Sequence, residues 1–167
     1  MKREAIRRGI VGTILMAIII VCCSCCQAGL SEESATCAWV LCKPDSYVNI
    51  REKPSGKSAV LGRYESGTAL YTDGIQENGY IHLVHLSLEA EEGWIHKGYV
   101  VYGEPEEKNA VFRIRSNGRV AARKNIDGKR RRWLKNGDRV KVYRASRAWA
   151  VTSKGFIQTK YLEEETE

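Results

Sequence analysis

The sequence is poor in the side chains that do chemistry. Three histidines stand in 167 residues, and four of the six cysteines fall within the first 26 positions. A hydrolase needs a nucleophile with a base in reach, or a workable set of metal ligands. Beyond residue 28 the candidates reduce to Cys37, Cys42, His82, His85 and His96. His82 falls in a predicted strand and His96 stands close to Trp94. Three positions apart in a β context, His82 and His85 point to opposite faces, which weakens a shared metal site. No catalytic residue, metal ligand or cofactor is therefore assigned, and the chain reads as a non-enzyme. Also missing is a convincing amphipathic helix. With 43% hydrophobic and 28% charged residues, the composition excludes wholesale disorder and a multi-span membrane protein.

What is present begins with an unusual N-terminus. Lys2, Arg3, Arg7 and Arg8 stand against a single Glu4 and lead into an apolar stretch over residues 10–23. A positive segment followed by an apolar one shorter than the roughly 18 to 20 residues of a spanning helix predicts a signal peptide over residues 1–28, with a retained membrane anchor as the alternative. Small residues at Cys26 and Ala28 place a cleavage after Ala28. Ser24 before Cys25 resembles the end of a bacterial lipoprotein signal, which makes Cys25 a candidate for lipidation, although Cys22 stands where that pattern has Leu. Residues 29–36, GLSEESAT, read as a linker. If the rest is exported, Cys37 and Cys42 are candidates for one disulfide. Their odd spacing puts them on opposite faces of a straight strand, so a bond needs a turn between them, and buried free thiols are the alternative.

From Trp39 onward, short β-branched and aromatic runs (AWVL, YVNI, TALYT, YIHLV, GWIH, YVVY) recur every 8 to 12 residues or so, separated by Gly, Pro, Asn or Asp. The second half repeats the texture through VFRI, RVAAR, DRVKVY, AWAV, GFIQ and YL. The fold class is all-β. Pro105 within a charged, non-periodic stretch marks a linker over residues 104–109 between a first domain at 37–103 and a second at 110–163, with an acidic tail at 164–167.

The halves can be laid over one another. Val48, Asn49, Ile50 and Arg51 meet Val120, Ala121, Ala122 and Arg123, and a turn glycine follows five residues after each Arg, at Gly56 and Gly128. Glu65, Ser66, Gly67 and Thr68 then meet Lys135, Asn136, Gly137 and Asp138. Gly79 and Tyr80 match Ala148 and Trp149; Gly93, Trp94, Ile95 and Tyr99 match Gly155, Phe156, Ile157 and Tyr161.

The run YVNIREKPSGKSAVLGRYESGTAL, followed by ENGYIHL and EEGWIHKGYV, closely resembles the bacterial Src-homology-3-like (SH3-like) domain. Asn49, Arg51, Pro54, Ser55, Gly67, Gly79, Tyr80, Gly93, Trp94 and Tyr99 sit on its pattern. The second copy is diverged: Ala121 replaces the Asn, Ile126 and Asp127 replace Pro-Ser, and Phe156 replaces the Trp. The resemblance covers about three quarters of the chain and implies two tandem small SH3-like β-barrels. Closing so short a sheet leaves little free edge. Trp39, Leu41, Val48, Ile50, Leu70, Ile81, Leu83, Trp94 and Ile95 are the core candidates of the first. In the resembled family such modules accompany cell-wall hydrolases and bind while a separate domain cuts, which implies peptidoglycan peptides or related ligands.

Charge divides the chain. Residues 29–103 hold six Lys and Arg against ten Asp and Glu, a formal −4; residues 104–167 hold seventeen against nine, a formal +8. Lys129, Arg130, Arg131 and Arg132 cluster beside Trp133, a basic loop suited to a polyanion or, equally, a solvated hairpin whose charges protect an edge. Tyr47, Tyr64, Tyr71, Tyr80 and Tyr99 are the ring candidates for a shallow groove. The chain is thus expected to be a non-catalytic, exported binding module of the cell envelope or exterior, attached through peptidoglycan or an associated anionic polymer. The alternative is a membrane-anchored structural or regulatory protein whose barrels bind a protein partner. Export argues against nucleic acid.

Overall fold

The computed structural model describes residues 35–86 and 90–165, and over these the chain is all-β with two single-turn 3-10 segments. The expected signal peptide or anchor, the lipidation site at Cys25 and most of the linker at 29–36 lie outside the described residues. Among the described residues no helix is long and apolar enough to cross a membrane.

Alternation of side chains explains most of the strands. In β2 (Tyr47–Arg51) Val48 and Ile50 are buried while Tyr47 is exposed; in β4 (Ala69–Thr72) Leu70 and Thr72 are buried between exposed Ala69 and Tyr71. The same period of two runs through β6 (Tyr80–Leu83) and β12 (Arg139–Ala145), whose Val140 and Val142 face inward between Arg139 and Lys141.

In the first half β1 (Thr36–Val40) pairs with β4 and with β8 (Val100–Val101), while β2 lies between β3 (Val60–Glu65) and β7 (Gly93–His96), and β7 continues to β6 and the short β5 (Gln76–Glu77). A bridge between Tyr71 and Val84 links the two sheets. In the second half one sheet runs in the order β11 (Arg130–Leu134), β10 (Val120–Arg123), β14 (Gly155–Gln158), β13 (Trp149–Thr152), β12, β9 (Glu106–Ile114), β15 (Leu162–Glu164). Read through the Tyr71–Val84 bridge, the first half follows the same order: β3, β2, β7, β6, β4, β1, β8. Strand β9 starts at Glu106, inside the stretch expected to be linker, because its first residues pair with Ala145 and Arg144.

Hydrogen bonds repeat with the strands. Leu41 N–H donates to the Tyr99 carbonyl at 2.8 Å and Arg115 N–H to that of Tyr161 at 2.9 Å; Gly67 N–H donates to Val40 and Gly137 N–H to Ile114. Arg51 and Arg123 each send a guanidinium N–H to a carbonyl of the following turn, Ser58 at 2.6 Å and Gly128 at 3.1 Å. Gly67 and Gly137 have φ of 92° and 84°, a conformation that glycine adopts without steric cost.

Each half has its own core. Val48, Ile50, Leu70, Ile81, Leu83 and Ile95 form the first with Ala38 and Val40. Phe112, Ile114, Val120, Leu134, Val140, Val142 and Ile157 lead the second. Three expected core residues lie elsewhere, Trp94 on the outer face beside His82 and the other two between the halves. Leu41 belongs, with Val101, Ile126, Val151 and Phe156, to a third cluster drawn from both halves, and Trp39 packs against it. Strands β13 and β14 break the alternation for the same reason: Ala150 and Ile157 face their own core, while Val151 and Phe156 face the first half. At ~1.5–3 kcal/mol for each large apolar side chain removed from water, five such residues rival the stability of a small domain. The halves are therefore packed into one body.

Candidate functional site

The open cleft of the second half begins with a small residue. Ala121 on β10 stands opposite Trp133 on β11, where a larger side chain would fill the space beside the indole. Trp149 stands opposite Gln158 across the β13–β14 ladder, and Tyr161 enters from the 3-10 turn Thr159–Tyr161. With Arg119, Val120 and Arg123 they enclose a cleft of about 220 Å³. The Arg130 guanidinium lies over the Trp133 ring at 4.5 Å and the Lys160 ammonium over the Tyr161 ring at 4.9 Å, so cations flank its aromatic walls.

The matching surface of the first half is filled by its own rings. Asn49 stands opposite Arg63 and Tyr80 opposite His96. The His96 imidazole meets Tyr80 edge-on at 5.3 Å and Tyr99 at 5.9 Å. Its Nδ1 accepts the Gly98 N–H at 3.1 Å. Burial, reinforced by the Lys97 charge, holds the imidazole below its ordinary pKa and favours this neutral acceptor. Gln158 in the second half has no ring to bridge Trp149 and Tyr161.

Charge is distributed as unevenly as shape. Along and just beyond β9 and β12 the arginines are paired: Arg113 and Arg139 with Glu165, Arg115 with Glu163 at 2.6 Å, and Arg144 with Glu107 at 3.7 Å. The Arg113 hydrogen bond leads the effects that hold the Glu165 carboxyl below its usual range. At the other end of the same sheet, Lys129, Arg130, Arg131 and Arg132 are exposed and take no ion pair among the described residues. Three of them form the outer edge strand, where positive charge also discourages pairing with another sheet.

Of the residues expected at a site, Arg130 and Trp133 come together at the cleft; Lys129, Arg131 and Arg132 are exposed nearby in sequence but do not line it, and Arg132 stands opposite the buried Ala122. The tyrosines do not join them. Tyr47 is exposed and carries the Arg63 guanidinium at 4.4 Å, Tyr64 packs on the first core, Tyr80 stacks on His96, Tyr99 packs between the halves, and Tyr71 is exposed on β4. Trp149, Gln158 and Tyr161 carry no binding expectation in the sequence, although Trp149 and Tyr161 are the repeat partners of Tyr80 and Tyr99.

The remaining polar groups have structural partners. His82 Nδ1 lies 2.7 Å from Asp73 Oδ2 and Nε2 lies 3.7 Å from Glu92, with the ring 4.8 Å from the half-buried Trp94, which therefore faces His82 and is not part of the first core. Burial pushes the Asp73 carboxyl up, but the His82 hydrogen bond and the Ile75 N–H outweigh it and leave the group below its usual value. His85 is exposed. Of the two alternatives for Cys37 and Cys42, a bridge or free thiols, the structure has both as free thiols. Cys37 lies within β1, whereas Cys42, just beyond it, is buried with Sγ 3.4 Å from the Ser46 carbonyl, and burial raises its pKa. Among the described residues no group of three or more His, Cys, Asp or Glu is placed to hold a metal ion.

No family model matches the chain and no curated protein matches it in sequence. Solved structures similar to it include NlpC1 from Trichomonas vaginalis, 14% identical with a TM-score of 0.37 over 83% of this chain and 49% of that one. NlpC2 from the same organism is 13% identical, with a TM-score of 0.33 over 81% of this chain and 50% of that one. The chain spans about half the length of both. At these scores neither contributes a property to this protein.

Proposed function

We propose that the chain is a non-catalytic binding module of two tandem SH3-like barrels, attached to the cell envelope through peptidoglycan or an associated anionic polymer. The observation that carries this reading is the cleft between Trp133, Trp149 and Tyr161, flanked by Arg119 and Arg123, with the exposed Arg130 guanidinium over the Trp133 ring. Flat aromatic walls offer area to the ring faces or short side chains of a wall fragment, and guanidinium groups meet carboxylate or phosphate in planar geometry. Gln158 supplies a neutral donor and acceptor between them. The repeated strand order and paired hydrogen bonds support the tandem barrels, and the N-terminal pattern supports export.

The test is cosedimentation of the full chain with purified cell wall over a salt series. Retention at low salt that weakens as salt screens the exposed guanidinium groups supports the reading. An absence of retention at low salt removes it.

A further inference from the structure

The corresponding hydrogen bonds of the two halves match the ends of β1 and β9 residue by residue. Val40 N–H donates to Thr68 and Ile114 N–H to Asp138; Leu41 donates to Tyr99 and Arg115 to Tyr161. Trp39 pairs with Val101 as Arg113 pairs with Glu163. Gly98 and Lys160 are the middle residues of the two 3-10 turns. One surface therefore occurs twice, as Trp39, Leu41, Gly98 and Val101 in the first half and as Arg113, Arg115, Lys160 and Glu163 in the second.

The first version is apolar and occupied. Leu41 and Val101 are buried against Ile126, Val151 and Phe156 of the second half. The Ile126 N–H donates to the Gly98 carbonyl at 2.9 Å. A Cβ at Gly98 would lie 2.6 Å from the side-chain Nδ2 of Asn125, so a larger residue there would have to displace that carboxamide. The second version is charged and open to solvent: Arg115 and Glu163, paired at 2.6 Å, keep 73% and 52% of their side chains exposed. Lysine at 160 stands where the docked loop meets glycine in the first half.

We infer that the surface of Trp39, Leu41, Gly98 and Val101 is a docking site for a module of this same fold, and that its counterpart at Arg113, Arg115, Lys160 and Glu163 is a closed surface that docks no module in the same way. In stacked repeats a face that docks no neighbour needs to be polar, because an apolar docking face left unoccupied would associate. Here four substitutions supply it without altering the strand order beneath. The second half is held by the first in a fixed orientation and offers the same surface to no further module or copy.

Two measurements on the full chain test this. Writing the closed surface into the first half, as Leu41→Arg with Gly98→Lys, is expected to release the halves from each other while both remain folded: the β signal in circular dichroism is kept and one unfolding transition becomes two. Retention of a single transition at unchanged midpoint would overturn the docking site. Should that variant lose its β signal, Gly98→Lys alone is read in the same way, and loss of all β signal there too would also count against a separable docking surface. In a concentration series of the wild-type chain, NMR signals of Arg113, Arg115 and Lys160 are expected to stay fixed; shifts confined to these residues as concentration rises would overturn the closed surface.

Discussion

The ring of Tyr99 meets that of Phe156 edge-on, with centroids 6.0 Å apart and planes inclined at 70°, and this contact joins the two halves through the closing segments of each. Tyr99 ends the 3-10 turn of the first half, and Phe156 occupies the position where the first half has Trp94. Because Phe156 is almost wholly buried, Phe156→Ala is expected to cost about 3–5 kcal/mol. Urea unfolding followed by tryptophan fluorescence checks it: the wild type should unfold in one transition, and the variant should lose stability in both halves together.

Gly155 has a φ of 127°, and a Cβ there would lie 2.5 Å from the Arg123 carbonyl oxygen. Gly155→Ala is expected to destabilise by roughly 1–3 kcal/mol from backbone strain, and by more as β10 is pushed aside. Gly118→Ala, where nothing stands within 4 Å, is the control and should change stability by ~0.5 kcal/mol or less. Equal denaturation midpoints for the two variants would contradict the close approach of β14 to β10.

These glycines show what the sequence makes legible. Gly67 and Gly137 turn the chain, Arg51 and Arg123 tie a turn to its strand, and Gly93 and Gly155 let β7 and β14 come close to β2 and β10, so their residue types mark them and the repeat is readable. The contact between halves is not readable in this way. Leu41, Val101, Ile126, Val151 and Phe156 are apolar residues in or beside strands, and alternation says only which face is buried, not what covers it. The site was half visible for the same reason. A run of Arg beside Trp133 stands out in a sequence, whereas the cleft exists because Ala121 is small and Gln158 is not a ring, which are absences that only packing reveals. The pairing of Arg115 with Glu163 and of Arg113 and Arg139 with Glu165 likewise separates cations that composition counts together.

His96 links stability to pH. Its imidazole is held below the ordinary value of 6.5 by burial and by Lys97, so the unfolded chain binds the proton more readily than the folded one. The stabilising contribution is complete above about pH 6.5 and is lost as pH falls through the folded pKa, because a protonated Nδ1 cannot accept the Gly98 N–H. Melting curves at pH 7.5 and pH 5.5 should differ more for the wild type than for His96→Gln, which carries the side chain found at Gln158. An identical pH response in both would show that His96 does not carry the effect.

The Cys42 thiol is 3% exposed and its pKa is raised, so iodoacetamide should alkylate it slowly in the folded chain at pH 8 and rapidly in urea. Peptide mass spectrometry without reduction should also recover Cys37 and Cys42 as separate thiols. Rapid labelling of Cys42 in the native chain would contradict its burial beside Ser46.

Wall retention of the full chain, compared between Trp133→Ala and Tyr47→Ala, bears most directly on where recognition resides. Both residues are exposed, at 46% and 52%, and each carries an arginine over its ring, so neither replacement should disturb a core. Trp133→Ala is expected to weaken binding roughly five- to tenfold, equivalent to ~1–1.4 kcal/mol, and Tyr47→Ala to leave it unchanged. Equal loss in both, or loss with Tyr47→Ala alone, would contradict a recognition cleft in the second half.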